Sequence, residues 1–229
     1  MRIKRVGILG GSFDPPTLAH EEVGEIFLEG LDLDEVRYIP ARQNPLKTVR
    51  AWAAPSARWD MVNLMIAGHE RYSSSNLEIS PELVYDHHDR YVEDPTDETP
   101  SYTYYTLQAF RMLEPHTELI FLGGSDILRH FYKWYKAEQI IKEFHLGIAI
   151  RPPHSVASTI APIREEHRKF VTILEQHHMP DISSTDVRSF LESGQIDRAK
   201  VLLKPSVFEY IMDNRLYEEN PQELIPQDI

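Results

Sequence analysis

Short apolar runs recur along the chain, each ended by a turn signal and separated from the next by residues with helical spacing. Ile3 to Leu9 (IKRVGIL) reads as a buried strand ended by Gly10-Gly11, and Val36 to Ile39 as a second, stopped by Pro40. Glu118 to Leu122 (ELIFL) runs into another Gly-Gly pair, and Leu146 to Ile150 (LGIAI) into Arg151-Pro152-Pro153. Leu77 to Ile79 offers one more short strand. Between these lie helical patterns. His20 to Leu28 carries Val23, Ile26 and Phe27 on one side. A helix capped by Ser56 runs to about Ala67, and one capped by Ser101 runs through Leu107 and Phe110 to Met112. Ala137 to Phe144 reads as helix. Ile163 to His177 mixes apolar and charged residues at helical spacing, and the pattern is helical again from Ser183, with Pro205 in a first turn. Strand and helix in alternation predict an α/β fold, a parallel sheet with helices on both faces and a small C-terminal helical extension. Ligands of such sheets bind beyond the carboxyl ends of the strands.

The expected organisation is a single domain over residues 1–229, with a core of about 1–181, a C-terminal helical part of about 182–217 and an acidic tail from 218. Asn44 to Ala54 is a polar loop containing Lys47 and Arg50. Val84 to Thr99 (VYDHHDRYVEDPTDET) is acidic and aperiodic, and reads as a peripheral surface loop.

Charge narrows the function. The net charge of −12 lacks the basic footprint of a nucleic-acid surface, and with anionic substrates the few site cations must gather where phosphates lie. No apolar run reaches membrane-spanning length, Val6 to Leu9 is too short for a signal peptide, and the chain has no Cys. A cytoplasmic protein is expected, as a monomer or a homo-oligomer. The pairs His87-His88 and His177-His178 do not make a zinc site, because adjacent residues point apart and no Cys supplements them.

Two motifs carry chemistry. In GGSFDPPTLAH (10–20), Gly10 and Gly11 allow close backbone approach, Ser12 offers a hydroxyl, and Phe13 plugs the loop into the core. Asp14-Pro15-Pro16 fixes the turn. Thr17 and His20, three apart at a loop-to-helix junction, can face one point, where a helix start adds amide donors suited to phosphate. In ISSTDVR (182–188), Ser184 or Thr185 can cap a helix whose first turn holds Arg188, and a guanidinium there can clamp an anion. Alone, the first is also turn punctuation and the second a plain capped helix. The segment around Arg58 reads as a solvated helix start, with a role for Arg58 itself left open.

Together, in this order, the two motifs resemble the (H/T)-x-x-H loop and ISSTxxR helix start of the nucleotidylyltransferase superfamily. The second is similar to that of bacterial nicotinate-nucleotide adenylyltransferases. Lys47, PSYTYYTL (100–107), FLGGSD (121–126), FYKW (131–134) and KPSVFEYIMDNRLY (204–217) fall in the family's order, so the resemblance spans about residues 3–217. Departures are Thr17 where many members have His, Ala19 where Gly is usual, and a longer 84–99 segment.

The resemblance implies a Rossmann-like sheet and transfer of AMP from ATP to nicotinate mononucleotide. The alternatives are nicotinamide mononucleotide or phosphopantetheine as acceptor, or a catalytically silent nucleotide sensor. It implies His20, Thr17, Lys47 and Arg188 as the catalytic set. Gly10, Gly11, Ser12, Phe13, Gly124, Asp126, Ser184 and Thr185 fall to ATP, with Asp126 on a ribose hydroxyl. Tyr102, Thr103, Trp134 and Arg151 fall to the mononucleotide, with Trp134 stacking on the pyridine. Mg²⁺ is expected to arrive with ATP, and no resident metal is expected.

Overall fold

Six strands form one parallel sheet in the order β3-β2-β1-β4-β5-β6. They are β1 (Lys4–Gly11), β2 (Glu35–Pro40), β3 (Tyr72–Ser74), β4 (Thr117–Gly124), β5 (His145–Ile150) and β6 (Val171–Glu175). The chain reverses direction across the sheet between β1 and β4, the switch point where doubly wound sheets open a crevice. The computed structural model describes residues 2–47, 49–80, 84–86, 88–150, 154–175 and 182–218.

Side-chain alternation along each strand feeds two cores. Leu9, Val36, Tyr38, Ile120, Leu122 and Ala149 enter one, covered by α1 (Leu18–Gly30), α2 (Pro55–Ile66) and the C-terminal helices α7 (Ser184–Glu192), α8 (Ile196–Lys200) and α9 (Pro205–Asp213). Val6, Ile8, Ile39, Leu119, Phe121, Leu146 and Ile148 enter the other. That face is covered by α3 (Thr103–Leu113), α4 (Ser125–Arg129), α5 (Ala137–Glu143) and α6 (Val156–Ile160). Among the described residues no helix is long and apolar enough to cross a membrane.

Several boundaries differ from the sequence reading. Leu77 to Ile79 is a turn, and the strand lies earlier, at β3. Ile163 to His177 is not a helix: a short 3₁₀ segment, Glu165–Phe170, leads into β6. VTILE is β-branched and apolar, but its charged flanks imitate helical spacing. Ser56 does not cap α2, which begins with Pro55 in its first turn after Ala54. Ser101 does not cap α3, where Tyr102 holds that position and makes no capping bond with its side chain.

The first turn of α1 is pinned to the sheet by two phenols. The Tyr38 hydroxyl donates to the His20 carbonyl at 3.0 Å and the Tyr72 hydroxyl to the Glu21 carbonyl at 3.1 Å. Gly24 permits this approach, since a Cβ there would collide with the Tyr38 hydroxyl and come within 3.0 Å of that of Tyr72. Gly24→Ala is therefore expected to destabilise the protein by roughly 1–3 kcal/mol through overpacking, although Ala is the better helix former. A thermal melt checks this; an unchanged or raised midpoint would show that the contact is slack.

Candidate active site

Beyond the carboxyl ends of β1 and β4 lies a cavity of about 900 Å³. Gly10, Gly11, Phe13 and His20 form one wall and Lys47 another. Gly124 ends β4 and Asp126 follows it, and Tyr102, Thr103 and Trp134 close the far end. Residues assigned from separate motifs thus meet around one space. Ser12, Thr17, Ser184, Thr185 and Arg188 are not among the residues that line it; Ser12 and Thr17 bond the lining residues Lys47 and His20. Arg151 lies outside the described residues, as do His87, His177 and His178.

Thr17 precedes α1, and the sequence spacing makes His20 the third residue of that helix. The Thr17 amide donates to His20 Nδ1 at 3.0 Å, and the Thr17 hydroxyl lies 2.8 Å from the same nitrogen. A nitrogen that accepts an amide proton carries none itself, so the neutral ring holds its proton on Nε2. Burial, and then the charge of Lys47, lower the His20 pKa to about 4. At neutral pH His20 is an uncharged donor through Nε2–H, and Thr17 fixes its tautomer. The Phe13 ring, buried with φ 47°, meets it edge-on at 5.2 Å.

The loop below is tied from inside. Asp14 is 4% exposed, and its carboxylate accepts from the amides of Trp52 (2.9 Å) and Ala53 (3.1 Å) and from the Tyr217 hydroxyl (2.8 Å). Arg58 is 1% exposed, and its guanidinium donates to the carbonyls of Ser12 (2.7 Å), Ala53 (3.1 Å) and Arg42 (2.9 Å). The expectation of a solvated helix start at Arg58 fails. The residue shares the buried stripe of Met61, Val62 and Met65, a 3.6-residue period that placed it inward all along.

The cations are clustered. Lys47 Nζ donates to the Ser12 hydroxyl at 2.9 Å. Desolvation first, then the charges of Arg188 and Arg58, lower its pKa, with Asp14 and Asp126 opposing. Arg188 donates to the Asp14 carbonyl at 2.5 Å and to the Thr185 hydroxyl at 3.2 Å, and its guanidinium lies 5.4 Å from the Trp52 ring centre. Its Nε is buried without a partner among the described residues. In a chain with a net charge of −12, this concentration of positive charge calls for an anion.

α7 is capped by Ser183, not by Ser184 or Thr185: its hydroxyl accepts from the Asp186 amide at 3.1 Å, and the Asp186 carboxylate answers. The Ser184 hydroxyl instead donates to the Pro15 carbonyl at 2.8 Å, fastening α7 to the first motif. Sequence reasoning missed Glu78 and Glu98, which line the cavity. Burial raises the Glu78 pKa, against the hydroxyls of Thr106 (2.6 Å) and Ser101 (2.7 Å) that bond it. Nor is the 84–99 segment peripheral, since Glu98 reaches the cavity and Val84 is buried. Three-residue spacing could have flagged Ser183 with Asp186; nothing local flags Glu78 or Glu98. Among the described residues no three His or carboxylate side chains converge as metal ligands.

A family model described as cytidylyltransferase-like matches residues 8–190. A probable nicotinate-nucleotide adenylyltransferase from Synechococcus sp. (strain JA-3-3Ab) is 33% identical over 222 residues, 93% of this chain and 95% of its own. One of the same name from Listeria welshimeri is 30% identical over 215 residues, covering 93% and 97%. Among solved structures, Plasmodium falciparum nicotinic acid mononucleotide adenylyltransferase complexed with NaAD shares the fold. Its TM-score is 0.70 at 22% identity, over 95% of this chain and 98% of that one.

The lowered His20 pKa has a consequence for stability. As pH falls below about 6.5, the unfolded chain takes up the proton first, while the folded ring resists to about 4. Stability from this group is complete above pH 6.5 and declines towards pH 4. The loss reaches at most about 3 kcal/mol, at roughly 1.4 kcal/mol per tenfold change in proton affinity. Urea unfolding of wild type and His20→Gln at pH 7.5, 6 and 5 should show a steeper acid loss in the wild type. Parallel losses would mean that His20 titrates normally in the fold.

Proposed function

The chain belongs to the cytidylyltransferase-like family, and we propose that it transfers the AMP part of ATP to nicotinate mononucleotide, giving nicotinate adenine dinucleotide and pyrophosphate. The observation that carries the chemistry is the fixed tautomer of His20 beside Lys47 and the Gly10-Gly11 backbone, a set of donors facing one cavity. The 5′-phosphate of the mononucleotide attacks the α-phosphorus of ATP, a P–O bond forms, and the bond to pyrophosphate breaks in line. The nucleophile is already anionic, so no general base and no covalent enzyme intermediate are required. What the protein supplies is position and charge stabilisation.

In this reading His20 Nε2–H donates to an α-phosphate oxygen, and Thr17 holds the ring. Lys47 and Ser12 hold the triphosphate, and Arg188 stands behind them with the first-turn amides of α7 at Ser184 and Thr185. Mg²⁺ would arrive with ATP and would supply charge neutralisation on the polyphosphate, beside the side chains of Lys47 and Ser12 that would hold it. Asp126 takes a ribose hydroxyl. Trp134, edge-on to Phe121 at 5.4 Å, offers a face to the pyridine. The start of α3 leaves amides near Thr103 without a side-chain cap, and these favour a carboxylate on the ring. Glu78 also lines the cavity, and its carboxylate accepts from the hydroxyls of Thr106 and Ser101.

Pyrophosphate release from MgATP by the pure protein, with each acceptor in turn, tests the reading. Nicotinate mononucleotide should exceed its amide analogue in kcat/KM by on the order of tenfold to a hundredfold, an unpaired amide contact being worth about 1–3 kcal/mol. Phosphopantetheine should give nothing. His20→Ala should lower turnover at least about a hundredfold and still fold, as loss of one charge-stabilising donor does. Preference for the amide would overturn the acid-specific assignment alone. Near-normal turnover without the imidazole would remove His20 from the mechanism.

A further inference from the structure

The 84–99 segment is the part of the chain that the proposed chemistry does not use, yet it is heavily tied to one wall of the cavity. Its first half folds back on itself. Tyr85 and Tyr91 form an antiparallel bridge, the Val92 amide donates to the Val84 carbonyl at 2.9 Å, and the Asp86 amide donates to the Arg90 carbonyl at 2.9 Å. This turn presents Asp89, whose backbone is left-handed at φ 61°. Three donors reach the Asp89 carboxylate: the Lys136 ammonium at 2.5 Å and the hydroxyls of Tyr105 at 2.5 Å and Tyr135 at 2.9 Å. Lys136 is also left-handed, at φ 53°. Its ammonium sits over the rings of Tyr104 (4.6 Å), Tyr135 (5.1 Å) and Tyr105 (5.7 Å).

We propose that this cluster is a latch that shapes the acceptor end of the cavity, with Asp89 as a positioning residue acting through Tyr135. The inference rests on the reading of that end as the mononucleotide site. Tyr135 lines the cavity, directly follows Trp134, and has its ring 5.2 Å from that of Tyr102, which also lines it. Holding the Tyr135 hydroxyl therefore sets where Trp134 and Tyr102 can stand. The far end of the segment is fastened as well. Arg50 reaches Asp97 and Glu98 at 3.5 Å each, and Arg42 donates to the Thr96 carbonyl at 3.5 Å.

An isolated ion pair as exposed as Asp89 with Lys136 would hold little. Here the ammonium is enclosed by aromatic faces, which attract it, and the carboxylate gathers three donors that belong to two different elements. Two side chains on left-handed, non-glycine backbone meet each other, an arrangement that persists only where surrounding contacts over-determine it. The three donors also hold the Asp89 carboxyl down to about 2, Lys136 contributing most, so the latch stays charged at any working pH.

The test is steady-state kinetics of the full chain carrying Asp89→Asn, Lys136→Met, or both, beside Asp89→Glu. Each single change should raise KM for nicotinate mononucleotide about five- to tenfold and leave kcat and KM for MgATP within about twofold. The double variant should be no worse than either single one, and Asp89→Glu should recover part of the loss. A wild type that fails to turn over nicotinate mononucleotide would defeat the reading of the site, and the latch as a device of that site with it. An active wild type with unchanged constants in the variants would defeat the latch alone. So would KM values for both substrates rising together with a lowered melting temperature, the mark of a merely structural contact.

Discussion

The buried Asp14 carboxylate is where three parts of the chain meet that the sequence keeps far apart. It takes the Trp52 and Ala53 amides from the loop that carries Lys47, and the Tyr217 hydroxyl from beyond the last helix. Arg188 of α7 lies 3.6 Å from its Oδ2 and donates to its backbone carbonyl. A charge removed from water must be paired and hydrogen-bonded or it unfolds the region around it. Arg58 is the complement, spending its donors on carbonyls of the same two loops. These two buried charges close the first motif against the Lys47 loop, and the cavity between them is shaped before any substrate arrives.

That closure determines what the site can do. In-line transfer between two phosphates asks little of side-chain chemistry and much of placement, since well-oriented reactants can save about 7–11 kcal/mol of barrier. Each donor is accordingly held by another group. Thr17 holds His20, Ser12 meets Lys47, and Tyr38 and Tyr72 hold the first turn of α1. The C-terminal helices join this scaffold. Lys204 Nζ donates to the Met65 and Ala67 carbonyls at the end of α2 and lies 3.2 Å from Glu21, next to His20. The Leu18 amide donates to the Leu202 carbonyl at 3.0 Å. The helical extension is thus the back of the active site.

Much of this was legible in the sequence because it is local. Buried parallel strands are continuous apolar runs, and β1, β2, β4 and β5 are legible as such; the edge strand β6, with its charged flanks, imitates a helix, and the apolar run at 77–79 points a few residues past β3. The loop and helix-start motifs were read together because their order is specific, and the structure brings Gly10, His20, Lys47, Asp126 and Trp134 around one cavity. What escaped is what only tertiary contact creates. Asp14 looked like turn chemistry, although its partners lie 38, 39 and 203 residues away. Asp89 and Lys136 are ordinary charges in the sequence until the fold sets one against the other. Two of the misplaced residues carry a readable signal: Arg58 in its place on an apolar helical stripe, and Ser183 in its three-residue spacing to Asp186.

The measurement that bears most directly on this account is kcat/KM for adenylyl transfer by Asp14→Asn, taken well below its melting temperature. The carboxamide keeps one acceptor and turns its NH₂ towards a backbone amide or the Tyr217 hydroxyl, so at least one tie between the loops is lost while the shape is kept. The account predicts a fall of a hundredfold or more, with KM for MgATP rising more than KM for the mononucleotide because the Lys47 loop comes free. A folded Asp14→Asn enzyme within about threefold of wild type would contradict it, and would mean that the donors find their places without the buried carboxylate.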